Sequence, residues 1–298
     1  MYQVSVCIFS FNHEKYISRT IDSILSQKTN FNFEIIVGDD FSKDSTRSIL
    51  NNYQYNYPEI ITLNYNKENL GGTQNWINTI NLCKGKYVAL IDGDDYFIDN
   101  LKLQKQHDLL ENNKNCNLCF HSVRELQEFS NTYTDIHFDK NIFYTYELIE
   151  KGWFIRTSTI MFRNKVLPQY YDDWVYNFPY RLDTIIPILL TDNSNALYID
   201  EVMSVWRKHD NGLSNNFKKN YYENLIQEIN LVKQLNKFTL FKYNLYANNN
   251  IKRLFFYLLL ETFKTRKFNF YLILKYFILC DKLIFKKYIV KYLKKYIK

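Results

Sequence analysis

The chain has 298 residues, 46% hydrophobic and 23% charged, with seven glycines, four prolines and a formal net charge of +7. This length and apolar share suffice for one large domain or a domain with an appendage, and the scarcity of Gly and Pro excludes a low-complexity or disordered chain. The charge is unevenly placed: residues 217–298 carry 18 Lys/Arg against 4 Asp/Glu, whereas 1–216 carry 20 against 27, so a mildly acidic body bears a strongly basic tail. Cys7, Cys83, Cys116, Cys119 and Cys280 lie mostly in apolar runs. Cys116 and Cys119 are spaced C-x-x-C, yet no second Cys or His pair stands at zinc spacing, so buried free thiols in a reducing, cytosolic compartment are expected. Met1-Tyr2-Gln3-Val4 enters a strand-like run without a basic leader, and no uninterrupted apolar stretch reaches about 18 residues. Neither a signal peptide nor a transmembrane helix is expected.

In chain order, Val4 to Phe9 is apolar enough for a first strand, and Ser10-Phe11-Asn12-His13 follows as its loop. Tyr16, Ile17, Ile21, Ile24 and Leu25 recur at helical spacing and predict a helix over 14–26. Phe33 to Val37 reads as a second strand ending at Gly38-Asp39-Asp40, and Ser42-Lys43-Asp44-Ser45-Thr46 opens a helix reaching about Tyr53. Ile60 to Tyr65 is a third strand, Asn69-Leu70-Gly71-Gly72 a turn, 73–83 a helix and Tyr87 to Ile91 a fourth strand. Further on, Leu118 to Val123 and Ser158 to Phe162 read as strands and Thr184 to Leu190 as a helix. Ala196 to Ile199 and Val202 to Trp206 read as two more strands, and the last 80 or so residues, which lack Gly and Pro, as helical. Alternating strands and helices imply a mainly parallel sheet whose ligands sit beyond the strand carboxyl ends.

Three polar clusters fall at such ends: Ser10, Asp39-Asp40 and Asp92-Gly93-Asp94-Asp95. Bare carboxylates so close together need a cation or hydrogen-bond donors. Mg²⁺ typically takes one or two carboxylates plus substrate phosphates, so the last cluster suits a metal that holds a phosphorylated ligand. An Asp after a strand also makes a helix N-cap, and Asp95 can cap while Asp92 and Asp94 face a ligand.

Five segments in this order carry a resemblance: Val4 to Asn12, Glu34 to Thr46, Asn69-Leu70-Gly71-Gly72, Gly85 to Asp95, and Asp200 to His209. Over roughly the first 215 residues the chain resembles family-2 glycosyltransferases of the GT-A fold, particularly bacterial enzymes that build surface glycans. The resemblance implies an α/β Rossmann-like mixed sheet of the nucleotide-diphospho-sugar transferase type. Residues 1–216 would be the catalytic domain (about 1–115 the nucleotide-binding half, 116–216 the acceptor half) and 217–298 a basic helical extension. It implies transfer, with inversion, from a UDP-sugar to a hydroxyl of a lipooligosaccharide, capsule or other surface glycan.

Residue by residue, the resemblance sets the base against Ser10 and Asp40, an acceptor-only carboxylate suited to an imide N–H. Asn12 and Glu14 become donor contacts, and Asp39 either a further contact or a loop brace. Asp92 meets the ribose and metal, Asp94 ligates Mn²⁺ or Mg²⁺, His209 is a third metal ligand or diphosphate contact, and Arg207 pairs with the diphosphate or forms a surface ion pair. Gly212 would let the following loop fold over the donor. Asp183 is the general base, with Asp173 in competition and a plain N-cap as the bland alternative; many relatives have an acidic residue where this chain has Leu182. Phe41 stands where relatives often have Gly, and Phe9 where some carry a small polar residue. His121, Trp153 and Trp174 read first as packing residues, the tryptophans also as sugar platforms.

The tail interleaves Leu, Phe, Tyr and Ile with lysines and reads as a membrane-surface element, or else as a helical cap with solvated lysines. Nucleic acid is not expected as a partner, because the positive charge lies away from the carboxylate clusters. Two other functions fit paired Asp residues: a nucleotidyltransferase, whose glycine-rich basic loop Ser10 to Glu14 does not provide, and a silent nucleotide- or glycan-binding module.

Overall fold

The computed structural model describes residues 2–164, 173–212 and 220–265. They fall into two compact units: residues 1–148 with 153–210, and residues 149–152 with the chain from 211 onward. The first unit is built on a ten-stranded mixed sheet. Its strands are β1 (Val4–Ser10), β2 (Phe33–Asp39), β3 (Ile61–Tyr65), β4 (Tyr87–Asp92), β5 (Tyr96–Phe97), β6 (Leu118–Gln127), β7 (Thr132–Ile136), β8 (Ile142–Phe143), β9 (Met161–Arg163) and β10 (Ala196–Lys208). The main path runs β3-β2-β1-β4-β9-β6-β10-β5, with β7 on β6 and β8 on β10. The four strands β3, β2, β1 and β4 are parallel, and β9 enters antiparallel between β4 and β6.

The parallel half follows from its sequence. β1 and β4 are apolar on both faces because helices cover both sides, and Val4, Val6, Ile8, Ala89 and Ile91 are wholly buried. Helix α1 (Ile17–Leu25) buries Ile17, Ile21 and Ile24, the residues of its 3.6-residue repeat. Helices α2 (Thr46–Asn56) and α3 (Gly72–Ile80) make the next crossovers. Gly38 is where α3 meets the sheet: a Cβ there would stand 1.8 Å from Thr79 Oγ1, so no other residue fits without moving the helix.

The second half departs from the sequence expectation. The two strands expected over 196–206 are one strand, β10, with irregular pairing near Asp200-Glu201. A bulge absorbs that polar pair, and Asp200 accepts bonds there from Ser122 Oγ at 3.0 Å and Tyr198 Oη at 2.8 Å. The strand expected from Ser158 starts only at Met161, because Thr157–Thr159 form a 3-10 turn in which Thr159 Oγ1 donates to the Arg156 carbonyl at 2.7 Å. Helices α4 (Lys102–Asn112), α5 (Thr145–Lys151) and α6 (Leu182–Thr191) complete this series. In the second unit α7 (Tyr221–Phe238) and α8 (Asn244–Thr265) are the described helices; the tail segments Phe268 to Cys280 and Asp281 to Lys298 lie outside the described residues. No described helix is long and apolar enough to cross a membrane. Cys7, Cys83, Cys116 and Cys119 are buried free thiols.

Lys102, at the start of α4, is fully buried. Its ammonium donates to Gln106 Oε1 at 2.7 Å and lies 4.1 Å from the centre of the Phe97 ring. Burial pushes its pKa down to about 7. A depressed lysine means that the unfolded chain binds the extra proton above pH 7, so stability rises with pH from about 7 toward about 9. Lys102→Met should be more stable than the parent near neutral pH and should flatten this rise, read by urea midpoints across that window. A parallel pH dependence in both proteins would contradict it.

Candidate active site at the strand carboxyl ends

The parallel register aligns the ends of three strands. Ser10 pairs with Asp39 and Phe9 with Asp92, so the polar residues after β1, β2 and β4 share one edge, and the Asp40 amide donates to the Ser10 carbonyl at 2.9 Å. The loops after β1 and β2 are fastened together. Asn12 N donates to Ser42 Oγ at 2.8 Å, Lys43 N to Asn12 Oδ1 at 2.8 Å, Glu14 N to Asp44 Oδ2 at 3.0 Å and Ser45 N to Glu14 Oε2 at 2.9 Å. Asn12 and Glu14 thus join two loops at the rim. Asp39 is wholly buried and accepts from Ser42 Oγ, from Ser42 N at 3.1 Å and from Arg47 Nε.

Asp40 accepts from Leu70 N at 2.8 Å, Gly71 N at 2.9 Å and Asn66 Nδ2 at 2.9 Å. A carboxylate offers about four acceptor directions, so one remains. Ser10 Oγ is buried and without a partner, a donor and acceptor left over at the same edge. Phe41 has φ +67°, the left-handed conformation that a glycine adopts freely, so the loop keeps a glycine's shape without the glycine. Lys43 Nζ lies 3.3 Å from the centre of its ring. Phe9 stacks on Trp76 with centroids 4.1 Å apart.

Asp92-Gly93-Asp94-Asp95 turns directly into β5, not into a helix. Asp95 therefore caps no helix: its Oδ1 accepts from the Arg207 amide at 2.9 Å and ties the turn to β10. Gly93 is required by close approach, since a Cβ would stand 2.6 Å from His13 Nδ1 and 3.1 Å from the Phe9 carbonyl. Arg207 is nearly buried; its Nε donates to the Asp94 carbonyl at 2.9 Å and its guanidinium pairs with Glu128 at 3.2 Å and lies over the Tyr16 ring at 4.7 Å. It ties the turn to the residues after β6, with Nε on the Asp94 carbonyl and Nη1 on Glu128. His209 Nε2 donates to Asp94 Oδ2 at 2.9 Å, and His13 Nε2 lies 4.0 Å from the same oxygen.

These neighbours split the three acids. Burial and the charge of Asp94 push Asp92 up, and burial with both other carboxylates pushes Asp95 up. Burial also works against the Asp94 anion, but His13 and His209 outweigh it and hold Asp94 below the usual carboxylate range. Asp94 is therefore the anion of the turn. His13, Tyr16 and Glu128 do not stand out in the sequence as partners of this site. The spacing of His13 three residues after Ser10 is the one local signal, and the rest depends on β6 and β10 arriving alongside.

Asp183 lies in the first turn of α6, where the helix dipole favours negative charge. Its carboxylate accepts the Trp153 indole N–H, and its charge is felt at both Asp92 and Arg156. The Arg156 guanidinium lies between two tryptophans, 3.9 Å from the Trp153 ring centre and 4.2 Å from that of Trp206. Asp173 is exposed in a 3-10 turn, Asp173–Asn177, and its neighbour Asp172 lies outside the described residues. His121 is buried with Nδ1 2.7 Å from the Ser122 carbonyl, a core position. Trp174 packs edge-on against Phe178. Gly212 is described, but the loop it was expected to fold, from 213 to 219, is not.

Among the described residues no group of three or more His, Cys, Asp or Glu side chains is gathered at ligand spacing, so Asp92, Asp94 and His209 do not form a ready three-ligand cage. Asp94 still offers a carboxylate oxygen on this rim, and His209 an imidazole nitrogen once Nε2 loses the proton it donates to Asp94. That donor set fits a hard divalent cation whose remaining ligands come from a diphosphate and water.

The family model "Glycosyl transferase family 2" matches residues 5–173. An uncharacterized protein of Mycobacterium tuberculosis is 29% identical over 213 residues, 70% of this chain; the match spans only 60% of that protein. Among solved structures, TarS of S. aureus in complex with UDP-GlcNAc superposes with a TM-score of 0.58 at 17% identity, over 77% of this chain and 66% of that one. A mannosyltransferase from Pyrobaculum calidifontis in complex with GDP-Man and Mn2+ gives 0.56 at 16% identity, over 85% and 72%. The two likenesses share a fold, the expected GT-A architecture of a mixed sheet with covering helices. With more than half of its length matched by the family model and the sheet edge built as described, the chain belongs to glycosyltransferase family 2.

Proposed function

We propose that the chain transfers a sugar from a UDP-sugar to a hydroxyl of a lipid-linked surface glycan, such as a lipooligosaccharide or capsule chain, with inversion at the anomeric carbon. The single observation that supports this best is the common edge of β1, β2 and β4, where an unpartnered Ser10 Oγ, the braced Asp40 and the anionic Asp94 stand within one parallel register. On this reading Ser10 and the last acceptor direction of Asp40 take the base, while Asp39, Asn12, Glu14 and Arg207 hold the loops in place. Asp92 meets the ribose. Asp94 and His209 would hold Mn²⁺ or Mg²⁺, which when bound neutralises the charge of the leaving diphosphate.

The acceptor oxygen forms the bond to the anomeric carbon as the bond to the diphosphate oxygen breaks, and the hydroxyl proton passes to the Asp183 carboxylate. Asp183 suits this because Trp153 fixes one oxygen through its indole N–H while the α6 terminus and Arg156 favour the anion. One solved neighbour is in complex with UDP-GlcNAc and another with GDP-Man and Mn2+, which supports a nucleotide-sugar donor and a divalent ion. Residues 217–298 are proposed as an extension that contacts the cytoplasmic membrane face, bringing the site to a lipid-linked acceptor.

Incubation with UDP-sugars and Mn²⁺, followed by UDP release with and without glycan acceptor, tests the reading; UDP binding without any release would leave only a binding module. Asp94→Ala should lose Mn²⁺-dependent UDP binding in isothermal titration and match chelator-treated parent protein. Asp183→Asn should keep UDP binding and lower the transfer rate by about 10²- to 10⁴-fold, the usual contribution of a general base. Transfer at the parental rate in the Asn variant would remove Asp183 from the mechanism.

A further inference from the structure

The connection between α7 and α8, residues 239–243, and the first turn of α8 present large apolar side chains outward. Leu240 is 87% exposed, Phe241 61% and Leu245 67%. This is not a shortage of interior. The same two helices bury Leu225, Ile229, Leu231, Val232 and Leu235 on one and Ala247, Ile251 and Leu258 on the other. Leu240 and Phe241 also have φ of +50° and +60°. Two successive non-glycine residues in the left-handed region are a strained arrangement, and glycine or asparagine usually takes such places after a helix.

The strained turn is firmly held. Leu240 N donates to the Lys237 carbonyl at 3.0 Å, Phe241 N to that of Asn236 at 2.8 Å, and Asn236 Nδ2 to Asn244 Oδ1 at 3.0 Å. Folding gains nothing from apolar side chains fixed in solvent by a strained backbone, and such strain is kept where it serves a surface.

The surrounding charge names the surface. Lys233, Lys237 and Lys242 are exposed around the turn, and the whole stretch 229–260 contains no Asp or Glu while carrying four lysines and Arg253. Phe238, Tyr243 and Tyr246 are half-buried beneath it, residues that suit the boundary between headgroups and acyl chains. An apolar wedge flanked in sequence by cations, within a stretch that has no carboxylate of its own, complements an anionic bilayer: the wedge enters the acyl boundary and the lysines meet lipid phosphates. We propose that Leu240, Phe241 and Leu245 form a membrane-inserting tip selective for anionic lipid. This deepens the proposed membrane contact of residues 217–298 and rests on it.

The full chain is partitioned onto phosphatidylglycerol-containing and pure phosphatidylcholine vesicles. The parent should bind the first and not the second, more weakly as salt rises. The Leu240→Gly/Phe241→Gly double variant relieves the left-handed strain and should fold at least as stably, yet lose binding by about a hundredfold or more, since two apolar side chains no longer enter the acyl boundary. UDP release in solution should be unchanged in the variant, which separates this inference from the catalytic reading. Absence of parental binding would sink the membrane contact altogether. Equal binding by parent and folded variant would leave the contact but overturn the tip. Self-association of the parent that the variant abolishes would assign the surface to a second copy and also overturn it.

Discussion

Three carboxylates in four residues are the constraint around which this structure is arranged. Asp92, Asp94 and Asp95 cannot all be anions in a partly buried turn. The fold answers by treating them differently: Asp95 is bonded to the Arg207 amide, Asp94 receives His209 with His13 close by, and burial opposes charge on Asp92. Arg207 clamps the turn through the Asp94 carbonyl. The result is one dependable anion on the rim, backed by an imidazole.

The same logic runs through the rest of the edge. Asp39 and Asp40 are adjacent in sequence but meet different partners, because β2 ends at Asp39 and Asp40 opens the loop. Asp39 goes inward to Ser42 and Arg47; Asp40 gathers the amides of the 70–71 turn. On the other side Asp183 is joined to Trp153, and Arg156 lies between Trp153 and Trp206. The geometry suits a reaction whose catalysis is chiefly positioning and charge neutralisation.

Much of the first half was legible in the sequence, and for a definite reason. Strands that alternate with helices must run parallel with right-handed crossovers, so their carboxyl ends gather on one edge whatever the loops do. Ser10, Asp39, Asp40 and Asp92 could therefore be placed together before any coordinates. The two-residue strands β5 and β8 were not legible, since periodicity needs a longer run to register. The continuous β10 was hidden because Asp200-Glu201 reads as a break unless the bulge that accommodates it is seen. Asp95 looked like a cap because an Asp after a strand often is one, and only the arrival of β10 gave it a different donor.

The amino-acid order alone determined the parallel half, the edge on which its polar ends meet and the concentration of positive charge toward the tail, all consequences of local pattern and chain connectivity. Tertiary structure decided what each polar group does. Arg207 on the Asp94 carbonyl, Arg47 on Asp39 and Trp153 on Asp183 are contacts between residues apart in the chain. Hydrogen bonds and burial act through a few ångströms of space, and sequence separation carries no measure of that distance.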